Sequence, residues 1–304
     1  MLKAVLKIKK LFNNPAKDKT SDRMNSLKRN QAAIISSKSP FIIQEAYKTA
    51  RTNTIFSVSG AKENSCKIIA VTSGGPGEGK TTTTINLAIT FAQTGAKVLV
   101  IDGDLRKPRV HQYIGVVKTN GLSTLLSNQK SFDEVVYKDV RESLDLIASG
   151  EIPPNPAELL SSDAMGELLE ELKKRYDYIF IDTPPVTVVT DAAALSKFID
   201  GIIMLVRAGY TAHENIEQAL TLLKIADAKV LGFFVNDTAP AGTSYGGYKK
   251  GYRYRYNYKY KYRYNYKNNY GDTYGEKAEY AVNEKGQRVD GEEKGAAASE
   301  AKDE

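Results

Sequence analysis

One short run constrains this chain more than any other feature: Gly74-Gly75-Pro76-Gly77-Glu78-Gly79-Lys80-Thr81. Before it lies Lys67-Ile68-Ile69-Ala70-Val71-Thr72, which reads as a buried strand. After it, Ile85, Leu87, Ala88 and Ile89 open an apolar helix. The spacing Gly74-x4-Gly79-Lys80-Thr81 in a strand-to-helix turn is that of a phosphate-binding loop. Consecutive backbone N–H groups must turn inward around a β-phosphate, so bulky side chains would obstruct the loop, and the helix N-terminus adds its positive end. Lys80 is placed to reach the β- and γ-phosphates, and Thr81 to put a hydroxyl on Mg²⁺. The expected binding set is Gly74, Gly75, Pro76, Gly77, Glu78, Gly79, Lys80, Thr81 and Thr82, with ATP and Mg²⁺ as its ligands.

The rest of the central chain alternates apolar runs with helical patterns. The loop helix runs through Gln93, with Gly95 as its stop, and Val98-Leu99-Val100-Ile101-Asp102 is the next strand. A short helix around Gly121 to Leu126 and the strand Leu144-Asp145-Leu146-Ile147-Ala148 follow, then Pro153-Pro154-Asn155-Pro156 leads into a helix from about Ala157 to Arg175. Tyr178-Ile179-Phe180-Ile181-Asp182, Ile202-Ile203-Met204-Leu205-Val206 and Val230-Leu231-Gly232-Phe233-Phe234-Val235 complete the strands, with a helix between the last two. Near-continuous apolar strands separated by helices predict an α/β fold: a mostly parallel sheet covered by helices on both faces, a P-loop NTPase.

Two of these strands end in acids. Asp182 precedes the rigid turn Thr183-Pro184-Pro185, where a carboxylate can hold Mg²⁺ directly or through water. Asp102 and Asp104 follow the strand after the loop helix, where either one could orient or deprotonate an attacking hydroxyl, from water or from a protein side chain. The residues themselves point to Thr81 and Asp182 as metal holders, and to Lys80 with Asp102 or Asp104 as the catalytic groups. His111 and His213 have no converging partners in the sequence and are expected in ordinary surface or core roles.

Charge and cysteine count bound the alternatives. The formal net charge is +7, unevenly spread: residues 1–38 carry ten Lys or Arg against two Asp, and Lys249 to Lys267 hold eight basic residues and no acid. Such blocks suit contact with an anionic surface, without saying whether lipid, nucleic acid or protein. The one cysteine, Cys66, excludes an internal disulfide and, with two histidines, argues against structural zinc. No run approaches a membrane span, and Met1 to Phe12 lacks the long apolar core of a signal peptide. Residues 2–12 can form a short, partly apolar helix, and residues 13–40 are polar with little to pack. The division expected is a basic extension over 1–38, a core domain over 39–238 and a low-complexity tail over 239–304. Thirteen tyrosines lie between Tyr245 and Tyr280; Tyr252, Tyr254, Tyr256, Tyr258, Tyr260, Tyr262, Tyr264 and Tyr266 take every second position, mostly alternating with Arg or Lys. Like charges side by side argue against a stable strand there, so the tail is expected to be disordered.

The run Val71-Thr72-Ser73 through Thr81, then Val100-Ile101-Asp102-Gly103-Asp104-Leu105-Arg106-Lys107-Pro108, then Phe180-Ile181-Asp182-Thr183-Pro184-Pro185, resembles the cytoplasmic domain of bacterial protein-tyrosine kinases of capsule and exopolysaccharide synthesis, relatives of the MinD/ParA ATPases. The similarity covers roughly Ser39 to Asp237. It implies a Walker A loop from Gly74 to Thr82, a Walker B acid at Asp182, and an additional acidic motif at Asp102 and Asp104 that joins Thr81 and Asp182 in holding Mg²⁺ and joins Lys80 in catalysis by activating the incoming tyrosine hydroxyl. It also implies autophosphorylation in trans of the tail tyrosines 252 to 266, and an oligomerisation helix through Glu45, Lys48 and Arg51 that assembles subunits, in the family as a ring. The middle position is arginine in the family; Lys48 keeps the charge and loses the planar fork. Without a span, the chain resembles the soluble members, which implies a separate transmembrane activator, recruitment to the inner face of the membrane, substrates among polysaccharide-synthesis proteins and a cognate phosphotyrosine phosphatase.

Two other readings stay open. A MinD/ParA-type positioning ATPase usually has a lysine early in its loop, whereas Ser73-Gly74-Gly75 offers none before Lys80. A nucleic-acid binder would use the Tyr and Arg/Lys alternation for stacking and phosphate contact, but no recognised nucleic-acid motif accompanies it.

Overall fold

The computed structural model describes residues 25–58 and 65–238. The possible helix over 2–12 and the tyrosine-rich tail lie outside the described residues. Among the described residues seven strands form: β1 (Lys67–Ser73), β2 (Val98–Asp102), β3 (Val136–Arg141), β4 (Leu144–Ile147), β5 (Tyr178–Asp182), β6 (Gly201–Arg207) and β7 (Val230–Asn236). They lie in one sheet in the order β3-β4-β2-β5-β1-β6-β7. Every pairing is parallel except that of β3 with β4. The predicted α/β architecture is the one observed.

Each central strand feeds two layers, because successive side chains point to opposite faces. In β1, Ile68 and Ala70 join one core while Ile69 and Val71 join the other. The first core is closed by α4 (Leu122–Leu126), α5 (Phe132–Val135), α6 (Pro156–Leu160), α7 (Asp163–Leu172), α8 (Asp191–Ala194) and α9 (His213–Ile225), through Leu122, Val135, Leu160, Leu169, Ala192 and Leu223. The second is closed by α1 (Phe41–Val58), α2 (Lys80–Ala92) and α3 (Val110–Ile114), through Tyr47, Val58, Leu87, Phe91 and Val110. Strands buried on both faces need apolar residues throughout, which is why they read as continuous runs rather than alternating ones.

Several details depart from the sequence reading, the unexpected short helices at Val110–Ile114 and Asp191–Ala194 among them. The helix expected from Ala157 to Arg175 is two, α6 and α7, because Ser162 stops the run and caps the second: its Oγ accepts from the Met165 N–H at 3.3 Å. The half-exposed antiparallel strand β3, Val-Tyr-Lys-Asp-Val-Arg, was not foreseen. Residues 13–40 are not uniformly without packing either. Ile34 and Ile35 are buried, the Ile35 N–H donates to Asn86 Oδ1 at 2.8 Å, and Asn86 Nδ2 donates to the Ala33 carbonyl at 3.0 Å, which ties this segment to α2.

The sheet brings the carboxyl ends of β1, β2 and β5 together. Asp102 pairs in register with Asp182 across β2 and β5, and β1 lies on the other side of β5.

Candidate active site

The loop from Gly74 to Gly79 leaves β1 and enters α2 at Lys80. Gly79 sits at φ +100° as the N-cap of α2, a left-handed conformation that side chains resist. A Cβ there would also collide with the Asn236 side-chain amide. Lys80 is buried, with Nζ 3.0 Å from Ser73 Oγ and 3.5 Å from the Gly75 carbonyl. Burial pushes its pKa down, opposed by the charges of Asp182, Glu78 and Asp104. The residue is therefore a desolvated amine held against the glycine-rich loop.

Thr81 Oγ1 donates to Asp182 Oδ2 at 2.6 Å. Thr84 Oγ1 stands 3.5 Å from Asp182 Oδ1 but also 3.0 Å from the Lys80 carbonyl, and its single proton serves the shorter contact. Asp102 is fully buried; Oδ2 accepts from the Val110 N–H at 3.1 Å, and Oδ1 has no hydrogen-bond partner among the described residues. Burial first, then the charges of Asp182 and Asp104, push the Asp102 carboxyl well above the ordinary range. Asp182 is raised too, chiefly by burial, against the pull of Thr81 and Lys80. Asp104 is half-exposed, and its Oδ1 accepts from the N–H groups of Arg106 and Lys107 at 3.2 and 2.9 Å.

Buried carboxylates with an orphaned oxygen, beside a threonine hydroxyl, form a donor set that a hard cation would relieve. Among the described residues no group of three or more His, Cys, Asp or Glu is arranged to hold a metal alone. Mg²⁺ fits this arrangement, because it commonly takes one or two carboxylates and completes its shell with phosphate oxygens and water.

Glu78 belongs to the expected binding set, and several other residues around the loop escaped the sequence reading. Glu78 is buried, Oε1 accepts from the Gly75 N–H at 2.9 Å, and Oε2 has no hydrogen-bond partner among the described residues; its pKa is raised, chiefly by burial. The Thr187 hydroxyl donates to the Gly74 carbonyl, and Asn236 Nδ2 donates to the Glu78 carbonyl at 3.0 Å. Tyr210 Oη donates to the Pro76 carbonyl at 3.3 Å, under the Arg207 guanidinium 5.0 Å from its ring centre. Arg207 also pairs with Asp237 at 3.0 Å. The available signal for Thr187, Arg207, Tyr210 and Asn236 was position: they end or follow β5, β6 and β7, at the edge where ligands of parallel sheets bind.

Glu45, Lys48 and Arg51 lie on α1, away from the loop. Lys48 Nζ pairs with Glu45 Oε1 at 2.9 Å, and Arg51 donates to the Thr90 carbonyl of α2 at 2.6 Å. His111 is half-buried with Nδ1 unpartnered, and burial lowers its pKa; His213 is exposed, 3.5 Å from Glu217. The tail tyrosines lie outside the described residues.

Residues 66–231 match the AAA domain family. The chain is 40% identical over 227 residues to tyrosine-protein kinase YwqD of Bacillus subtilis (strain 168), covering 75% of this chain and 94% of that protein. It is 35% identical over 208 residues to tyrosine-protein kinase CpsD of Streptococcus agalactiae, covering 67% of this chain and 88% of the relative. Among solved structures, the chimerical protein CapA2B2 superposes with a TM-score of 0.62 at 36% identity, covering 67% of this chain and 87% of that one. The kinase domain of the Escherichia coli tyrosine kinase ETK does so at 0.60 and 30% identity, covering 69% and 80%.

Proposed function

The chain belongs to the bacterial protein-tyrosine kinases, and from that premise we propose that it transfers the γ-phosphoryl group of ATP in trans to tyrosines of a neighbouring copy's tail. The observation that carries this reading is the meeting of Lys80, Thr81, Asp102 and Asp182 where β1, β2 and β5 end, in a chain with thirteen tyrosines beyond residue 244.

The loop N–H groups and Lys80 bind the β- and γ-phosphates and offset their charge. Thr81 Oγ1 and Asp182 would hold Mg²⁺, with Asp102 and Asp104 beside them. When bound, the ion neutralises charge on the phosphate oxygens. Asp104, the least buried of the three acids, is the one an incoming phenol can reach. It accepts the phenolic proton as the tyrosine Oη–P bond forms and the P–O bond to ADP breaks. A positioned base of this kind contributes about 10²–10⁴-fold.

In this reading the activity controls capsular or exopolysaccharide synthesis. No helix among the described residues is long and apolar enough to cross a membrane. In the same reading a separate membrane-spanning activator recruits the chain to the inner membrane face, with self-association through α1, external substrates in the same synthesis and reversal by a phosphatase.

Incubation of the full chain with labelled ATP and Mg²⁺, with the activator supplied, tests the proposal. Phosphotyrosine is expected in the wild type, is lost in Lys80→Met and drops sharply on truncation at Gly242. ATP hydrolysis with no phosphotyrosine would instead support a positioning ATPase.

A further inference from the structure

The loop after β2 carries Asp104, the loop after β5 leaves directly from Asp182, and one side-chain pair clips the two loops together. Arg106 Nε donates to Asp191 Oδ2 and Arg106 Nη2 to Asp191 Oδ1, each at 3.0 Å, across 85 residues of sequence. Asp191 is fully buried, whereas the Arg106 side chain remains 40% exposed. Arg106 lies two residues beyond Asp104, and Asp191 begins α8, nine residues beyond Asp182.

The backbone makes the link specific. Asp104 Oδ1 accepts from the N–H groups of Arg106 and Lys107, so the peptide that carries the guanidinium is also the one that aims the Asp104 carboxylate. Closer to the strands, the Gly103 N–H donates to the Asp182 carbonyl at 2.8 Å. That bond fixes the base of the two loops, and the Arg106–Asp191 fork fixes their outer reach. A planar fork on a carboxylate sets orientation as well as distance, which a point charge cannot do. A buried ion pair is weak evidence of a stabilising role, since apolar residues of similar volume often serve stability as well.

We propose that Asp191 is a positioning residue for phosphoryl transfer: through the fork on Arg106 it holds the Asp104 turn at a fixed attitude to Asp182 and the phosphate loop. The inference rests on the kinase reading above and adds a residue outside the three motifs. Nucleotide is bound by the loop and Lys80, which the pair does not touch. Loss of the fork therefore affects turnover more than ATP binding.

The test uses full-length enzyme variants, with the full-length Lys80→Met chain as phosphoacceptor, so that acceptor and catalyst are separate molecules. Asp191→Asn keeps size but turns one acceptor oxygen into a donor facing the guanidinium. Arg106→Lys keeps the charge and loses the fork, and Arg106→Gln loses both. For all three, kcat is expected to fall by about 10- to 100-fold, the order that a misplacement of about 1 Å produces. KM for ATP and the affinity for a fluorescent ATP analogue are expected to stay within about twofold. Arg106→Lys is expected to resemble Arg106→Gln rather than the wild type. Unchanged kcat in Asp191→Asn overturns the inference, as does wild-type turnover in Arg106→Lys. Equal loss of nucleotide affinity and turnover in all three variants also overturns it, because that marks a merely structural pair. If Asp191→Asn does not fold, the Arg106 variants decide alone. No phosphotyrosine from the wild-type enzyme would overturn the kinase reading itself, a result distinct from all of these.

Discussion

Gly103 has no room for a side chain. A Cβ there would lie 2.8 Å from Ile181 Cγ2 and 2.9 Å from the Asp182 carbonyl oxygen, so the ends of β2 and β5 approach as closely as backbone allows. Gly103→Ala must push these ends apart, and overpacking of this kind typically costs about 1–3 kcal/mol. Urea denaturation is expected to show that loss, together with a fall in kinase activity, since Asp102 and Asp104 flank the displaced residue. Glu78 calls for the opposite substitution. Its carboxylate lies buried inside an anion-binding loop, with one oxygen on the Gly75 N–H and the other unpartnered among the described residues. Glu78→Gln keeps the acceptor and removes the charge, so ATP affinity is expected to rise, by up to about tenfold for a like charge acting through a partly shielded medium. The pH dependence carries a sign. Because the folded pKa is raised above the unfolded one, the wild type gains stability as pH falls through the folded value and loses it as pH rises. The stability advantage of Glu78→Gln in urea melts is expected to be widest near pH 8 and to close as pH falls through the raised pKa. Equal advantage at all pH values would assign the effect to packing instead.

Elements were legible where their burial was uniform. β1, β2, β5 and the start of β6 are buried throughout or nearly so, and each read as an unbroken apolar run. Edge strand β3 escaped because it mixes Lys138, Asp139 and Arg141 with apolar residues and leaves most of its length partly exposed. The division between α6 and α7 escaped for another reason: the apolar pattern continues across Ser161 and Ser162, and only the cap geometry separates the two helices. Ser162→Ala removes the side-chain acceptor of the Met165 N–H and is expected to cost about 1 kcal/mol, read as a lowered melting temperature. The candidate site divides in the same way. Lys80, Thr81 and Asp182 lie in local patterns whose chemistry is encoded by spacing. Arg207, Tyr210, Asn236 and Asp191 reach the site or its loops from segments 100 or more residues away from Lys80, through single contacts that no periodicity marks.

The whole chain joins a near-neutral catalytic domain to a tail whose Lys249–Lys267 stretch holds eight basic residues and no acid. Each phosphotyrosine adds about −1.5 to −2 charges, so roughly four or five would cancel that block. Binding of the full chain to anionic liposomes is expected to be salt-dependent and to weaken on autophosphorylation; binding that phosphorylation leaves unchanged would remove the tail from any charge switch. The domain itself distributes its strength unevenly, because β1 pairs with β5 on one side and β6 on the other, with all seven of its residues buried. Its amide protons can meet solvent only when the centre of the sheet opens, which amounts to opening the whole domain, whereas β3 and β7 can fray singly. In deuterated buffer, β1 is therefore expected to retain protium longest. The strand that aims the phosphate loop then keeps time with global unfolding, and the loop's foundation stays fixed while the margins of the sheet breathe.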